Sequence, residues 1–432
     1  RRQRQMCIRD RASALLANGV RLVGRSFKYH RPRGIYGASV EEPNALVSLG
    51  VGAARRPNLQ ATTIPLTAGM VARSQNRWPS LRYDLQAVNQ VAARFLGAGF
   101  YYKTFMGPVE RAWMFYEHFI RRAAGLGRPP EGPAPRAQSE HSHCQTLVVG
   151  GGLAGLAAAL EAGERGQVLL AEQDCLLGGQ ALATAASSPA SRCLADLVEA
   201  VSRSSAIRVL TRTQVFGVYD QGQFGLVQQG ERELLHMVTA ERAVIATGAL
   251  ERGIALPGND LPGVMLASAV QAYLHRFGVI CGDRAVIFAN NDSAFQVALD
   301  LAAAGCQATL VDNRDLQPSR LEPLLAGGVA VEAGETVTRI LGRGAVRGVV
   351  LSNGQNLPCD LVCLSGGWSP TLHLTSHLGH KPRWSEAHAA FLPAELPEAM
   401  RVRGAAAGDF RPLPGTDGAA DPGWQSPLKP LW

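Results

Sequence analysis

The 432-residue chain contains no uninterrupted apolar run near the roughly 20 residues that a membrane-spanning helix requires, so no membrane span is expected. No apolar stretch follows the arginines at its start, so no secretory signal is expected either. There is no lysine-rich run and no recognisable nucleic-acid module, which argues against a nucleic-acid partner despite a net charge of +8. The eight cysteines are scattered through apolar or loop contexts without a disulfide-like framework, and a reducing cytoplasm is the expected location. No C-x-x-C or C-x₄-C redox pair is present; Cys359 and Cys363, with three residues between them on an apolar strand, read as core. His141-x-His143-Cys144 offers three metal ligands in four residues but no distant fourth, and reads as a loop leading into a strand. No acid–base pair or nucleophile stands out, so no catalytic residue is assigned.

What is present is a glycine fingerprint, Gly150-Gly151-Gly152-Leu153-Ala154-Gly155, with the right context on both sides. Leu147-Val148-Val149 reads as a buried strand, Leu156 to Glu164 as a helix, and Val168 to Ala171 as a second strand closed by Glu172. Gly150 permits the tight turn, Gly152 lets the backbone approach a pyrophosphate, and Gly155 lets helix and strand pack closely. The helix N-terminus faces the phosphates with partial positive charge. Glu172 is placed to accept from ribose hydroxyls and disfavours a 2′-phosphate, so NAD or FAD is expected over NADP. Gly178-Gly179-Gln180 then supplies a loop able to approach the cofactor, and Ala246-Thr247-Gly248 ends a buried strand beside it.

About 140 residues later the pattern returns without its glycines, as Ala289-Asn290-Asn291-Asp292-Ser293-Ala294. Strand Ala285 to Phe288, helix Ser293 to Ala304 and strand Ala308 to Val311, ending at Asp312, complete a second unit. Asparagines keep a backbone from approaching a diphosphate and Asp292 repels one, so this unit is expected to be scaffold. Phe224 to Val227 and Glu233 to Val238 alternate as an antiparallel insertion would. Residues 1–143 hold 22 Lys/Arg against 8 Asp/Glu, so the positive charge is an N-terminal property that suits an anionic cofactor or acidic partner subunit. Nine of the 27 Phe/Trp/Tyr fall between Phe95 and Phe119, with Pro108 able to open a helix carrying Trp113, Tyr116, Phe119, Ile120 and Ala123. Such density suits packed core or a subunit contact.

Gly24-Arg25-Ser26-Phe27-Lys28-Tyr29-His30-Arg31-Pro32-Arg33-Gly34-Ile35, Glu41 to Val47, Gly107 to Phe119, the first fingerprint, Asn290-Asn291-Asp292 and Ser365-Gly366-Gly367-Trp368-Ser369-Pro370 with His373-Leu374 together resemble the alpha subunit of heterotetrameric sarcosine oxidase, over residues 20–408. The resemblance implies part of an enzyme that oxidatively demethylates sarcosine to glycine, acting on a CH–NH bond, with beta, gamma and delta partner subunits. It implies NAD bound by this chain at Gly150, Gly151, Gly152, Gly155 and Glu172, lined by Gly179, Thr247 and Gly248, with FAD as the other candidate and FMN at a subunit interface. The aminomethyltransferase domain of that family is not in this sequence, and the chain alone is expected to be inactive. The N-terminal module resembles a plant-type ferredoxin fold, yet four thiolates are needed for a [2Fe–2S] cluster and none lies between Gly24 and Ser142, so no iron–sulfur cluster is expected. Gly404 is followed by Ala405, and Gly408-Asp409 comes four residues late for the usual flavin-site turn; this favours NAD over FAD and reads as a damaged C-terminus.

The expected architecture is α/β, a glutathione-reductase-like pair of Rossmann domains preceded by a ferredoxin-like α+β module without cluster ligands. Its limits are a non-native segment at 1–19, the module with the aromatic segment at 20–124, a linker at 125–144, and the first dinucleotide domain at 145–280. The degraded second unit follows at 281–360, the return to the first domain at 361–410, and an irregular, truncated tail at 411–432. A subunit of an amino-acid or opine dehydrogenase, a stand-alone FAD-dependent NAD(P)H oxidoreductase and a non-catalytic nucleotide-binding scaffold are the alternatives.

Overall fold

The computed structural model describes residues 10–91, 93–94, 112–123, 125, 127–130, 132, 138–230 and 233–411. Pro108, the aromatic residues from Phe95 to Phe105 and the tail from residue 412 lie outside the described residues.

Two sheets form the body, the first mixed and the second all parallel. In the first, the order is Ile207–Leu210, Val168–Ala171, Gln138–Val149, Leu234–Ile245, Gln223–Gln228 and Thr213–Tyr219, and Met400–Val402 pairs in parallel with Leu234–Ile245. The apolar runs Leu147–Val149 and Val168–Ala171 are buried, as strands covered on both faces must be. The alternating segments do form an antiparallel insertion, Thr213–Tyr219 and Gln223–Gln228 hairpinned onto Leu234–Ile245. In the second sheet Val264–Leu266, Leu361–Ser365, Arg284–Ala289, Gln307–Asp312 and Ala330–Ala333 run parallel. Helix Ser293–Ala303 completes the repeat of the strand-turn-helix plan.

Several expected limits shift. His141 to Cys144 lie in the strand Gln138–Val149 and not in a loop, because the partner strand Leu234–Ile245 holds them in register from Gln138 onward. That strand therefore starts inside the stretch 125–144 expected as linker. Val264–Leu266 and helix Ala267–His275 belong with the second sheet although they fall inside 145–280, and Leu361–Ser365 is an inner strand of that sheet although it falls inside 361–410.

Residues 10–19, expected as foreign, are built into the N-terminal module. Asp10 caps helix Arg11–Ala17, accepting from the Ser13 N–H, Ala12 is fully buried, and Arg11 donates to the Ala72 carbonyl at 3.2 Å. The module itself has short strands, Gly24–Arg25 with Pro32–Arg33, and Arg56–Gln60 with Leu46–Leu49 and Ala72–Ser74. Helix Ala112–Ala123 forms, but Met114, Phe115 and Phe119 on it are exposed and not core.

The module packs on the second sheet through its turn at Tyr36–Ala45. The Tyr36 carbonyl accepts from Leu266 N–H at 2.9 Å, and the buried Tyr273 hydroxyl donates to the Gly37 carbonyl at 3.0 Å. Within the turn, Glu42 accepts from the amides of Tyr36, Gly37, Asn44 and Ala45, and Glu41 from those of Ala38 and Ser39.

Candidate functional site

A cleft of about 1090 Å³ runs from the first fingerprint to the junction of the two sheets. Gly150, with φ +105, turns the chain out of strand Gln138–Val149, and a side chain there would strike the Ala246 carbonyl. Gly152 is the N-cap of helix Leu153–Gly163 and makes no side-chain cap hydrogen bond, so the first-turn amides of that helix open on the cleft. The nearest atom to a Cβ placed on Gly152 is Gly179 Cα at 3.9 Å, which leaves room for a ligand to approach the backbone. Gly155 is buried in the helix, where a Cβ would collide with the Gly150 carbonyl oxygen. Its role is packing, and it does not line the cleft.

Glu172 is buried at the end of strand Val168–Ala171. Its Oε2 accepts from the Gly151 N–H at 2.6 Å and its Oε1 from the Asp174 N–H at 2.7 Å. Burial pushes its carboxyl above the ordinary range, against the pull of those amides. Gly178 and Gly179 pair with the fingerprint turn, the Gly178 N–H donating to the Gly151 carbonyl at 2.8 Å. Thr247 and Gly248 form the facing wall; the Thr247 hydroxyl donates to the Thr371 carbonyl at 2.8 Å, and Gly248 takes φ +71 with nothing near its absent side chain. Gly150, Gly152, Glu172, Gly179, Thr247 and Gly248 thus all line one cleft, while Gly151 and Gly155 shape it from behind.

Parts of the cleft wall lie outside the dinucleotide fingerprint. Ala38 to Glu41 of the N-terminal turn line it, as do Ser268, Gln271 and Arg276 from the second sheet's first helix. Arg276 binds Asp174 with two hydrogen bonds at 2.6 and 2.8 Å, tying that helix to the Glu172 end. Glu251 sits buried where the sheets join, accepting from the Ser268 N–H at 2.7 Å, and burial pushes its carboxyl up to about 7. Its position three residues after Gly248 was a usable signal; the fold of helix Ala267–His275 across it was not.

The return to the first sheet is orderly where damage was expected. After Met400–Val402, Arg403 donates to the Ile245 carbonyl at 3.0 Å, Gly404–Ala407 makes one turn, and the Asp409 N–H reaches back to the Gly404 carbonyl at 3.1 Å. Asp409 lines the cleft, with its carboxylate held by Arg411, which keeps it below the ordinary range.

The second turn spends its polar groups internally. Asn291 Nδ2 donates to the Ser365 carbonyl at 3.1 Å and to its hydroxyl at 3.0 Å, and Trp368 Nε1 donates to Ser293 Oγ at 3.0 Å. Asp292 faces Arg314 at 2.9 Å and pairs with Arg320, so its charge is matched within the protein.

Residues 144–385, over half the chain, match the pyridine nucleotide-disulphide oxidoreductase family. The chain belongs to that family. It is similar to sarcosine oxidase subunit alpha of Rhizobium meliloti (strain 1021), with 42% identity over 92% of this chain and 42% of the relative. It is also similar to sarcosine oxidase subunit alpha of Corynebacterium sp. (strain U-96), at 31% identity over 92% of this chain and 40% of the relative. The chain therefore spans about 40% of the length of these relatives. Among solved structures, L-proline dehydrogenase from P. horikoshii shares the fold, with a TM-score of 0.60 and 18% identity over 92% of this chain and 65% of that one.

Residues 12–77 match a 2Fe-2S iron-sulfur cluster binding domain. This match overturns the expectation of no iron–sulfur cluster, which had rested on cysteine count alone. The matched segment contains no cysteine, so the thiolates such a group needs are not among its residues.

Proposed function

We propose that the Gly150–Glu172 cleft holds a dinucleotide, NAD in the first instance, and that the chain serves as an alpha-type component of a multisubunit sarcosine oxidase. The observation that carries this reading is the uncapped helix N-terminus at Gly152, opening on the cleft beside the buried carboxylate of Glu172. The amides at Gly152 to Ala154 bind the diphosphate, Gly150 and Gly155 keep strand and helix close enough to present them, and Gly151 is fixed by Glu172. Glu172 retains lone pairs for ribose hydroxyls, while Gly179, Thr247 and Gly248 border the second half of the ligand. A bound nicotinamide dinucleotide supplies hydride-transfer chemistry; the residues of this chain bind and orient it.

FAD is the second reading. The observation favouring it is the reach of the cleft past Gly248 to Trp368 and Asp409, at the junction of both sheets. The second turn at Asn290 to Asp292 acts as scaffold. Oxidation of the CH–NH bond of sarcosine belongs, in this proposal, to the assembled enzyme with beta, gamma and delta subunits in the cytoplasm, with FMN at a subunit interface. The similarity to sarcosine oxidase alpha subunits over 92% of this chain supports it. The test is sarcosine-dependent oxygen uptake by the chain alone and co-expressed with its neighbouring gene products. Activity is expected only in the assembly, and an assembly that oxidises another amine while leaving sarcosine untouched overturns the substrate.

A further inference from the structure

We infer that the outer face of the short 3₁₀ turn Leu85–Gln90 is a docking surface for a companion subunit whose matching face is apolar and rimmed with carboxylates. This rests on the multisubunit reading above. In a 3₁₀ turn, residues i and i+3 eclipse one another, so Leu85, Val88 and the following Val91 form one ridge. They are 62%, 67% and 84% exposed, with Tyr83 at 68% beside them. Single exposed apolar residues are ordinary, but a continuous ridge of them marks an interaction site.

The ridge is held rigidly from below. Asp84 caps the turn, its Oδ1 accepting from the Gln86 N–H at 3.2 Å and the Trp78 N–H at 3.0 Å, while its Oδ2 meets His30 Nδ1 at 2.6 Å in a fully buried pair. Asn89 and Gln90 donate to the carbonyls of Lys28 and His30, both at 3.4 Å. The buried Asp84–His30 pair thus anchors the inner side of this element, while Leu85, Val88 and Val91 stand exposed on its outer side.

Charge selects the occupant. Between residues 43 and 94 there are six arginines and one carboxylate, and that carboxylate is the buried Asp84. Arg77, Arg82 and Arg94 are exposed around the ridge in sequence. A second copy docked face to face would bring these arginines together, and a nucleic acid would leave the aliphatic ridge unmatched. An acidic-rimmed apolar face satisfies both parts.

The full chain is co-expressed with its neighbouring gene products, and the affinity for the co-purifying subunit is measured at low and high salt for the parent, Leu85→Ser/Val88→Ser and Arg77→Glu/Arg82→Glu. The first double variant is expected to weaken assembly by about tenfold or more at both salt concentrations, as loss of a central apolar contact does. The second is expected to weaken it at low salt and flatten its salt dependence. Both should unfold at the parent's temperature, since these side chains are exposed. If the parent assembles and both variants match it, the surface is overturned while the multisubunit reading stands. If the parent forms no complex, both are overturned. Self-association of the parent that Leu85→Ser/Val88→Ser abolishes, or RNA binding that Arg77→Glu/Arg82→Glu abolishes, replaces the subunit as occupant.

Discussion

The Glu172 carboxylate accepts the Gly151 N–H at 2.6 Å, so the acid that ends one strand fixes the turn that ends its neighbour. The same group borders the cleft, which gives it two tasks. Removing it frees two backbone amides in a buried place, a loss of about 1–3 kcal/mol for each buried group left unpaired. Glu172→Ala is expected to raise the dissociation constant for NAD by about ten- to a hundredfold in calorimetric titration. An unchanged affinity would remove Glu172 from the site.

Gly155 and Gly248 separate packing from binding. A Cβ at position 155 collides with the Gly150 carbonyl, and Gly155→Ala should lower stability by about 1–3 kcal/mol, the usual cost of overpacking, visible in thermal denaturation. At position 248 a Cβ meets no atom within 4 Å among the described residues, though φ is +71. Gly248→Ala should therefore cost about 1 kcal/mol of stability while weakening NAD binding by more than the roughly fivefold that this energy represents. The opposite ranking would exchange the two roles.

Asn291 is buried and bonded to both the carbonyl and the hydroxyl of Ser365. Asn291→Ala is expected to destabilise the chain by about 1–3 kcal/mol and to leave the number of dinucleotides bound unchanged. A fall in stoichiometry would turn the second unit from scaffold into a binding site.

Glu251 links stability to pH. Its pKa rises from 4.5 in the unfolded chain to about 7 in the fold, so between those values the native state holds the extra proton. Its contribution is full below pH 4.5, is lost as pH rises to about 7, and totals about 3 kcal/mol at 1.36 kcal/mol per pH unit. Glu251→Gln should flatten the fall of melting temperature across that window. A parallel fall in the variant would assign the pH dependence to other groups.

Much of the cleft was legible because its parts are local. A glycine turn between a buried strand and a helix, with an acid closing the next strand, is a contiguous pattern, and Gly150, Gly152 and Glu172 meet as that pattern requires. The second unit was legible for the same reason, since strand and helix periodicity persist without the glycines. The boundaries were not, because the second sheet is assembled from separated pieces. Val264–Leu266 and Leu361–Ser365 are short apolar strands whose sheet is decided by pairing with each other and with Arg284–Ala289, nearly a hundred residues apart at the extremes. The strand at His141 to Cys144 was hidden too, because it is polar and owes its form to the partner strand. Asp10 and Ala12 looked foreign since a single short helix shows no pattern until the module closes over it.

The most direct test is mass spectrometry of the ligand released from the purified chain, co-expressed with its neighbouring gene products, beside Gly152→Val. Gly152 has an extended backbone, and a Cβ there makes only ordinary contact with Gly179 Cα at 3.9 Å, so the backbone accepts a side chain that crowds the approach to the amides. One NAD per chain in the parent and none in the variant is the expected result. FAD in its place, or a full complement of NAD in Gly152→Val, would contradict NAD binding at Gly150–Glu172.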